Sequence, residues 1–147
     1  QGYEVLMKTF KQFSESEDED YRGNHQPSHE DGAPLHDLTV VYPDDVYDSD
    51  AVRNYGDRSP YDNRTFGIVF SAKGKPNQSV NIYRAVPNVD NVELKINEGD
   101  WVTINRGYAE THGDSALKGN YTILTKIVPA RTLFTSGDSI HEWGYFP

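Results

Sequence analysis

Short runs of apolar and aromatic residues, each closed by a glycine, a proline or a polar turn, dominate the chain after residue 78. Runs of about four to eight such residues have the length of a strand in a globular domain. They cover residues 80–86, 101–104, 121–128, 132–135 and 140–146, with residues 92–96 as a further candidate. The pattern predicts five or six strands, and the poor alternation in residues 121–128 predicts a strand buried on both faces.

Helical spacing lies mainly in the first half of the chain. Residues 46–55 predict a short helix, which Gly56 would end in the left-handed conformation that favours glycine. Residues 61–73 predict a second helix, because apolar side chains recur three and four positions apart and a glycine follows. Asp62 or Asn63 is the expected N-cap of this second helix.

Two further elements complete the predicted fold. Residues 38–42 are β-prone and end at Pro43, which predicts another short strand. Residues 105–112 predict a short helix, with Asn105 as its N-cap and Gly113 after its last turn. Helices mainly in the N-terminal half and a sheet in the C-terminal half together predict an α+β fold.

The acidic residues are concentrated in the first 60 residues, which hold 14 Asp and Glu against 5 Lys and Arg. Residues 61–147 hold nine of each, so the net charge of −9 belongs to the N-terminal part. Residues 1–13 predict a short amphipathic helix, and the acidic residues 14–31 predict a flexible segment. We therefore expect an N-terminal region, residues 1–31, followed by a single domain, residues 32–147.

Several classes of protein are disfavoured by what the sequence lacks. The chain has no cysteine, so it carries neither a disulfide nor a thiolate metal ligand. It has no apolar run long enough for a membrane helix, and its acidic balance disfavours non-specific nucleic-acid binding. Glycine-rich phosphate loops, the HExxH zinc motif and the GxSxG serine motif do not occur. These absences predict a cytoplasmic protein without a metal site.

Three polar residues lie within or beside the aromatic runs: Arg84 in NIYRAVP, Thr103 in GDWVTINRGYA and Glu142 in SIHEWGYFP. A charged side chain among aromatics is costly to bury unless it is paired or takes part in function. A buried Arg84–Glu142 salt bridge, or side chains that alternate outward, would explain the two charges without any activity. The residues by themselves leave these alternatives open.

The order of these motifs resembles the arginine–serine–glutamate class of ADP-ribosyltransferases. Tyr83-Arg84 is similar to the aromatic–arginine strand of that class, and residues 101–105 stand where it has a serine-threonine-serine segment. Glu142 stands on what resembles the late glutamate strand. Several sequence segments also resemble domains of multi-domain phage and mobile-element proteins: APLHDL, VYPDDVY, IYRAVP, INEGDWV and HEWGY. The resemblance covers residues 32–147.

The resemblance implies an ADP-ribosyltransferase-like fold, with a small mixed β-sheet core split into two sheets. It implies that NAD is the co-substrate, with three residues at the catalytic centre. Arg84 would bind an NAD phosphate, Thr103 would support the NAD pocket, and Glu142 would stabilise the oxocarbenium ion formed as nicotinamide leaves. Further expected contacts to NAD are Tyr83, Trp101, Asn105, Tyr108 and His36, the aromatic ones through stacking.

The activity implied is a toxin-like mono-ADP-ribosyl transfer to a protein of a bacterial host, in the cytoplasm of an infected or targeted cell. NAD glycohydrolysis is the expected side reaction. Thr103 stands where the family has its first serine and keeps the hydroxyl, while Ile140 stands where members often carry Glu or Gln.

Two other classes of function fit the same sequence. One is a non-catalytic, acidic interaction protein of phage type that imitates DNA or binds a partner. The other is a degenerate transferase fold that acts only as a binding module.

Overall fold

A computed structural model describes residues 29–91 and 94–147 of the chain. The expected N-terminal helix and most of the acidic segment lie outside the described residues, as do two residues of the candidate strand at 92–96. The remainder of that candidate, residues 94–96, is not a strand.

Six strands, three α-helices and three short 3-10 helices form the described part of the chain. The strands are β1 (Ala33–Pro34), β2 (Ser79–Pro87), β3 (Trp101–Val102), β4 (Tyr121–Pro129), β5 (Leu133–Thr135) and β6 (Trp143–Tyr145). The α-helices are α1 (Ala51–Tyr55), α2 (Asp62–Ala72) and α3 (Arg106–Ala116). The 3-10 helices are Leu38–Val40, Asp44–Tyr47 and Ala130–Thr132. The α+β class predicted from the sequence is confirmed.

The strands form two antiparallel sheets. One has four strands in the order β1-β5-β6-β3, and the other pairs β2 with β4 along nine residues each. A single bridge joins the sheets, in which Tyr83 N donates to Thr103 O at 2.8 Å and Thr103 N donates to Tyr83 O at 2.9 Å. The prediction of a mixed sheet is wrong, because every strand pair among the described residues is antiparallel.

The core packs α2 and β2 against the four-stranded sheet. Phe66, Ile82 and Trp143 are fully buried in it. Trp143 Nε1 donates to Ile140 O at 3.1 Å, so the polar atom of this large side chain is satisfied inside the core. This packing fixes the start of β6, which is the residue directly after Glu142.

The strand predicted over residues 38–42 is wrong, because this segment contains the 3-10 helix Leu38–Val40. The Asp37 carboxylate accepts hydrogen bonds from the N–H and the hydroxyl of Thr39, which caps the helical turn. Leu38 N also donates to the Tyr47 hydroxyl at 2.8 Å. These side-chain bonds replace the ladder bonds that a strand would have needed.

The helix predicted over residues 46–55 is divided into Asp44–Tyr47 and α1. Gly56 does follow α1, but with an extended backbone (φ −76°) and not the left-handed one expected. A Cβ at this position would lie 2.3 Å from Asp62 Oδ2. Gly56 is therefore required for a close approach to the start of α2.

The expected capping of α2 by Asp62 or Asn63 is also wrong. The N-cap position is Tyr61, which makes no side-chain cap bond, and Asp62 is the first helical residue. The Asp62 carboxylate instead accepts the backbone N–H of Arg58 at 2.8 Å and that of Asp57 at 3.3 Å. Asp62 thus ties the preceding loop to the helix.

α3 is longer than predicted, and β4 is more exposed than predicted. Asn105 is the N-cap of α3 as predicted, since its Oδ1 accepts Tyr108 N at 3.3 Å. The helix continues through Gly113, however, because glycine lets the Tyr121 ring of β4 pack directly against it. β4 itself is not buried on both faces: Ile127 is 69% exposed, since the two-stranded sheet leaves one side of β4 to solvent.

Two helical glycines give opposite expected results when each is replaced by alanine. Nothing lies within 4 Å of a Cβ at Gly67 in α2, so Gly67→Ala should stabilise the protein by roughly 0.5–1 kcal/mol. A Cβ at Gly113 would lie 2.4 Å from Tyr121 Cγ, so Gly113→Ala should cost about 1–3 kcal/mol despite the same propensity gain. Urea unfolding of both variants measures the difference. Equal stabilisation would mean that α3 does not pack on Tyr121.

Among residues 29–91 and 94–147, the helices are all too short or too polar to span a lipid bilayer.

Candidate functional site

The three motif segments of the sequence lie on neighbouring strands. β3 pairs with β6 so that Val102 faces Trp143; Thr103 directly follows β3, and Glu142 directly precedes β6. On its other side Thr103 pairs with Tyr83 of β2. Segments that are far apart in the sequence therefore meet within the width of three strands.

The sequence predicted that Glu142 lies within a strand. In the structure it lies immediately before β6. It is 3% exposed, and its Oε2 accepts a hydrogen bond from the Tyr108 hydroxyl at 2.6 Å. Tyr108 stands in the first turn of α3, and its ring stacks on His141 with centroids 4.8 Å apart. Tyr61 packs edge-on against both rings. Glu142 is thus a buried carboxylate at the rim of an aromatic cluster.

His141 is the centre of a buried polar network. Its Nε2 lies 2.9 Å from Asp62 Oδ1 and 3.3 Å from Asp57 Oδ1, and its Nδ1 lies 2.9 Å from Thr65 Oγ1. Asp62, Thr65 and His141 are all buried, whereas half of the Asp57 side chain is exposed. The network ties the turn before β6 to α2 and to the loop in front of it.

The two aspartates set the protonation of this network. Burial alone would lower the pKa of His141, but its hydrogen bonds and charge attraction to Asp57 and Asp62 outweigh burial and raise the pKa. Burial would raise the pKa of Asp57, but the hydrogen bonds from His141 and Ser59 bring that pKa well below its usual range. Nε2–H of a protonated His141 therefore donates to the charged carboxylate of Asp57 and to the carboxylate of Asp62.

The same three side chains could hold a metal ion. One oxygen each of Asp57 and Asp62 and a nitrogen of His141 lie within 4.8 Å of one another. Carboxylate and imidazole donors suit a divalent transition-metal ion, and Thr65 would orient the ring through its other nitrogen. In the structure the three groups satisfy one another by hydrogen bonds.

Asn105 and Thr103 connect this cluster to the sheet. Asn105 Nδ2 donates to Tyr61 O at 3.1 Å and to Thr65 Oγ1 at 3.2 Å, which fixes the start of α3 against α2. Thr103 is fully buried, and its Oγ1 accepts Asn105 N at 3.2 Å. Both residues thus support the site from beneath, which agrees with a supporting role for Thr103.

Arg84 contacts β3 and the residue before it. Its Nη1 donates to Trp101 O at 2.9 Å, and its Nε lies 3.9 Å from Asp100 Oδ2. The alternation of side chains along β2 directs Arg84 to the face opposite Tyr83. These contacts fix the guanidinium group beside the start of β3.

The remaining predicted contacts are dispersed. Tyr83 lines a cleft of about 180 Å³ between α2 and β2, together with Arg64, Asn81 and Ile104. Trp101 is half-buried, and its Nε1 is buried without a hydrogen-bond partner among the described residues. His36 follows β1 at the far edge of the four-stranded sheet, where its carbonyl accepts Gly74 N.

Sequence reasoning missed His141, Asp57, Asp62 and Thr65 as parts of a site. A histidine directly before Glu142 in an otherwise apolar run was the available signal. The partners of this histidine lie 76 to 84 positions away, so no local spacing could have named them. No protein-family model, curated protein or solved structure matches the chain, so the case for a function rests on these residues.

Proposed function

We propose that the chain is an NAD-dependent mono-ADP-ribosyltransferase with an ADP-ribosyltransferase-like fold, and that Glu142 is its catalytic carboxylate. The co-substrate is NAD, the acceptor is a protein of a bacterial host, and hydrolysis of NAD is the side reaction when water replaces the acceptor. One observation carries the proposal: the three residues that the resemblance names lie on adjacent segments, with Arg84 in β2, Thr103 directly after β3 and Glu142 directly before β6.

The proposed reaction breaks the bond between the ribose anomeric carbon and the nicotinamide nitrogen. The bonding electron pair goes to nicotinamide and neutralises its ring charge, which leaves an oxocarbenium-like carbon. The acceptor attacks this carbon and loses a proton. A carboxylate held close to the anomeric carbon stabilises the transient charge, as in glycoside cleavage. The burial of Glu142 strengthens this effect, because electrostatic attraction is larger where water is excluded.

Arg84 would contribute by binding the diphosphate of NAD. A guanidinium group offers two parallel N–H donors to a pair of phosphate oxygens, which an ammonium group cannot match. The Arg84 side chain is 21% exposed, so part of the guanidinium reaches solvent while Trp101 O holds it in place.

Arg84→Lys separates phosphate binding from a purely structural role. Loss of the planar fork should raise KM for NAD about tenfold. Unfolding free energy should change by less than about 1 kcal/mol, because the positive charge near Asp100 remains. Steady-state kinetics and thermal unfolding measure the two effects, and Arg53→Lys at an exposed ion pair is the control. An unchanged KM would leave Arg84 as a partner of β3 only.

The direct test of the proposed function uses NAD labelled in its adenylate phosphate. The chain is incubated with it alone and with bacterial lysate, nicotinamide release is measured, and gels are read for labelled protein or nucleic acid. Labelled protein that depends on Glu142 supports the transferase, and nicotinamide release without label indicates glycohydrolysis. Neither product would favour the non-catalytic acidic interaction protein.

A further inference from the structure

Tyr108 was expected to stack on NAD, but in the structure its backbone and its ring are held by other residues of the chain. Its backbone is fixed by the Asn105 cap, and Asn105 is itself bonded to Tyr61 O and Thr65 Oγ1 of α2. Its ring lies on His141 at an interplanar angle of 21°, with Tyr61 edge-on beside it. One face of the Tyr108 ring is therefore already covered by protein, and the ring has little freedom to turn.

The end of this restrained side chain points at the carboxylate of Glu142. The Tyr108 hydroxyl donates to Glu142 Oε2 at 2.6 Å, which is a short, charge-assisted hydrogen bond. Fixing one carboxylate oxygen also sets the plane in which the other lies. Glu142 precedes β6 in a turn, where the backbone alone would not determine the orientation of the side chain.

We propose that Tyr108 is a positioning residue, which holds the carboxylate of Glu142 in one orientation. That this orientation serves catalysis rests on the proposed function. The contact itself does not, because it is a hydrogen bond between the half-buried Tyr108 and the buried Glu142.

The electrostatics of the pair favour a permanent donor. Burial raises the pKa of Tyr108 well above its ordinary value, and the charges of Glu142 and Asp57 raise it further. The Tyr108 hydroxyl therefore holds its proton more firmly than an ordinary tyrosine does. Further titratable groups around the pair include His141, in ring contact with Tyr108, Tyr61, edge-on to the same ring, and Asp62, bonded to His141.

Tyr108→Phe tests the inference because it removes the hydroxyl and keeps the ring on His141. Loss of one hydrogen bond to a charged group should lower kcat about ten- to hundredfold with little change in KM for NAD. Tyr61→Phe is the matched control: its hydroxyl pairs with Thr111, so kcat should stay within about twofold.

Two further measurements separate positioning from a general structural effect. In the Glu142→Gln background, Tyr108→Phe should have almost no additional effect on kcat, because Tyr108 acts through Glu142. Crystal structures of the wild type and of Tyr108→Phe give a readout that needs no activity. The Glu142 carboxylate should have one orientation in the wild type and more than one in Tyr108→Phe, so this comparison decides on Tyr108 even if the wild-type chain does not cleave NAD. A single, unchanged orientation in Tyr108→Phe, or an equal loss of kcat in both backgrounds, overturns the inference.

Discussion

Glu142→Gln should lower the turnover of NAD about 10²–10³-fold while leaving the fold intact. Removal of one preorganised electrostatic stabiliser typically has this effect on a rate. The glutamine fills the same volume, and its amide oxygen can accept a hydrogen bond from Tyr108, so the hydroxyl keeps an acceptor. Nicotinamide release under single-turnover conditions measures the loss, and thermal unfolding confirms the fold.

The control for this prediction is Glu110→Gln. Glu110 is an exposed carboxylate on α3 that pairs with Arg106 four residues earlier, far from any buried charge. Its substitution should leave both turnover and stability nearly unchanged, because exposed pairs of this kind contribute little. Wild-type turnover in Glu142→Gln would refute the assignment of Glu142 and, with it, the transferase as proposed.

Asp62→Asn should have the largest effect on stability of the substitutions considered. Asp62 is buried, and its carboxylate accepts His141 Nε2–H together with two backbone N–H groups. Removal of its charge leaves a protonated His141 buried with one partner fewer, which typically costs about 3–5 kcal/mol. Urea unfolding at constant pH measures the loss. Asp57→Asn should cost clearly less, since half of that side chain is exposed to water.

The effect of Asp62→Asn should also depend on pH in a defined direction. Because the pKa of His141 is raised in the folded protein, the stability gained from its proton is complete below its ordinary pKa of about 6.5. That stability is lost as the pH rises through the pKa of folded His141. The difference in unfolding free energy between the wild type and Asp62→Asn should therefore become smaller above that pKa. A difference that is constant from pH 6 to pH 10 would show that His141 is neutral in the fold.

The parts of the fold that the sequence predicted well are those with strong local signals. β2 extends one residue beyond each end of the predicted run, because Val80, Ile82 and Val86 supply buried strand positions and Pro87 ends it. Asn105 was identified as the cap of α3 because its side-chain oxygen needs only a backbone N–H three residues ahead. Such interactions depend on residues close by in the chain, so a local sequence pattern can predict them.

The errors arise where distant residues decide the conformation. Gly113 looked like a helix end but lies inside α3, and Gly56 ends α1 without the expected left-handed backbone; each glycine is a contact point, against Tyr121 and against Asp62. The same is true of the site: Tyr108 was chosen for its ring, while its hydroxyl bond to a residue 34 positions away is what the fold adds. A side chain can be singled out from local pattern, but its partner depends on how helices and sheets pack.

The bridge between Tyr83 and Thr103 has a consequence for how this domain can vary. Both of its hydrogen bonds are made by backbone atoms, so the alignment of the two sheets does not depend on which side chain stands at either position. Mutation at residue 83, which lines the cleft between α2 and β2, can alter the shape and polarity of the surface offered to a ligand while the scaffold stays in place. Proline is the exception, because it has no N–H to donate. The backbone bridge that brings the motif strands together is thus also the place where a side-chain substitution can most readily change the ligand preference of the protein.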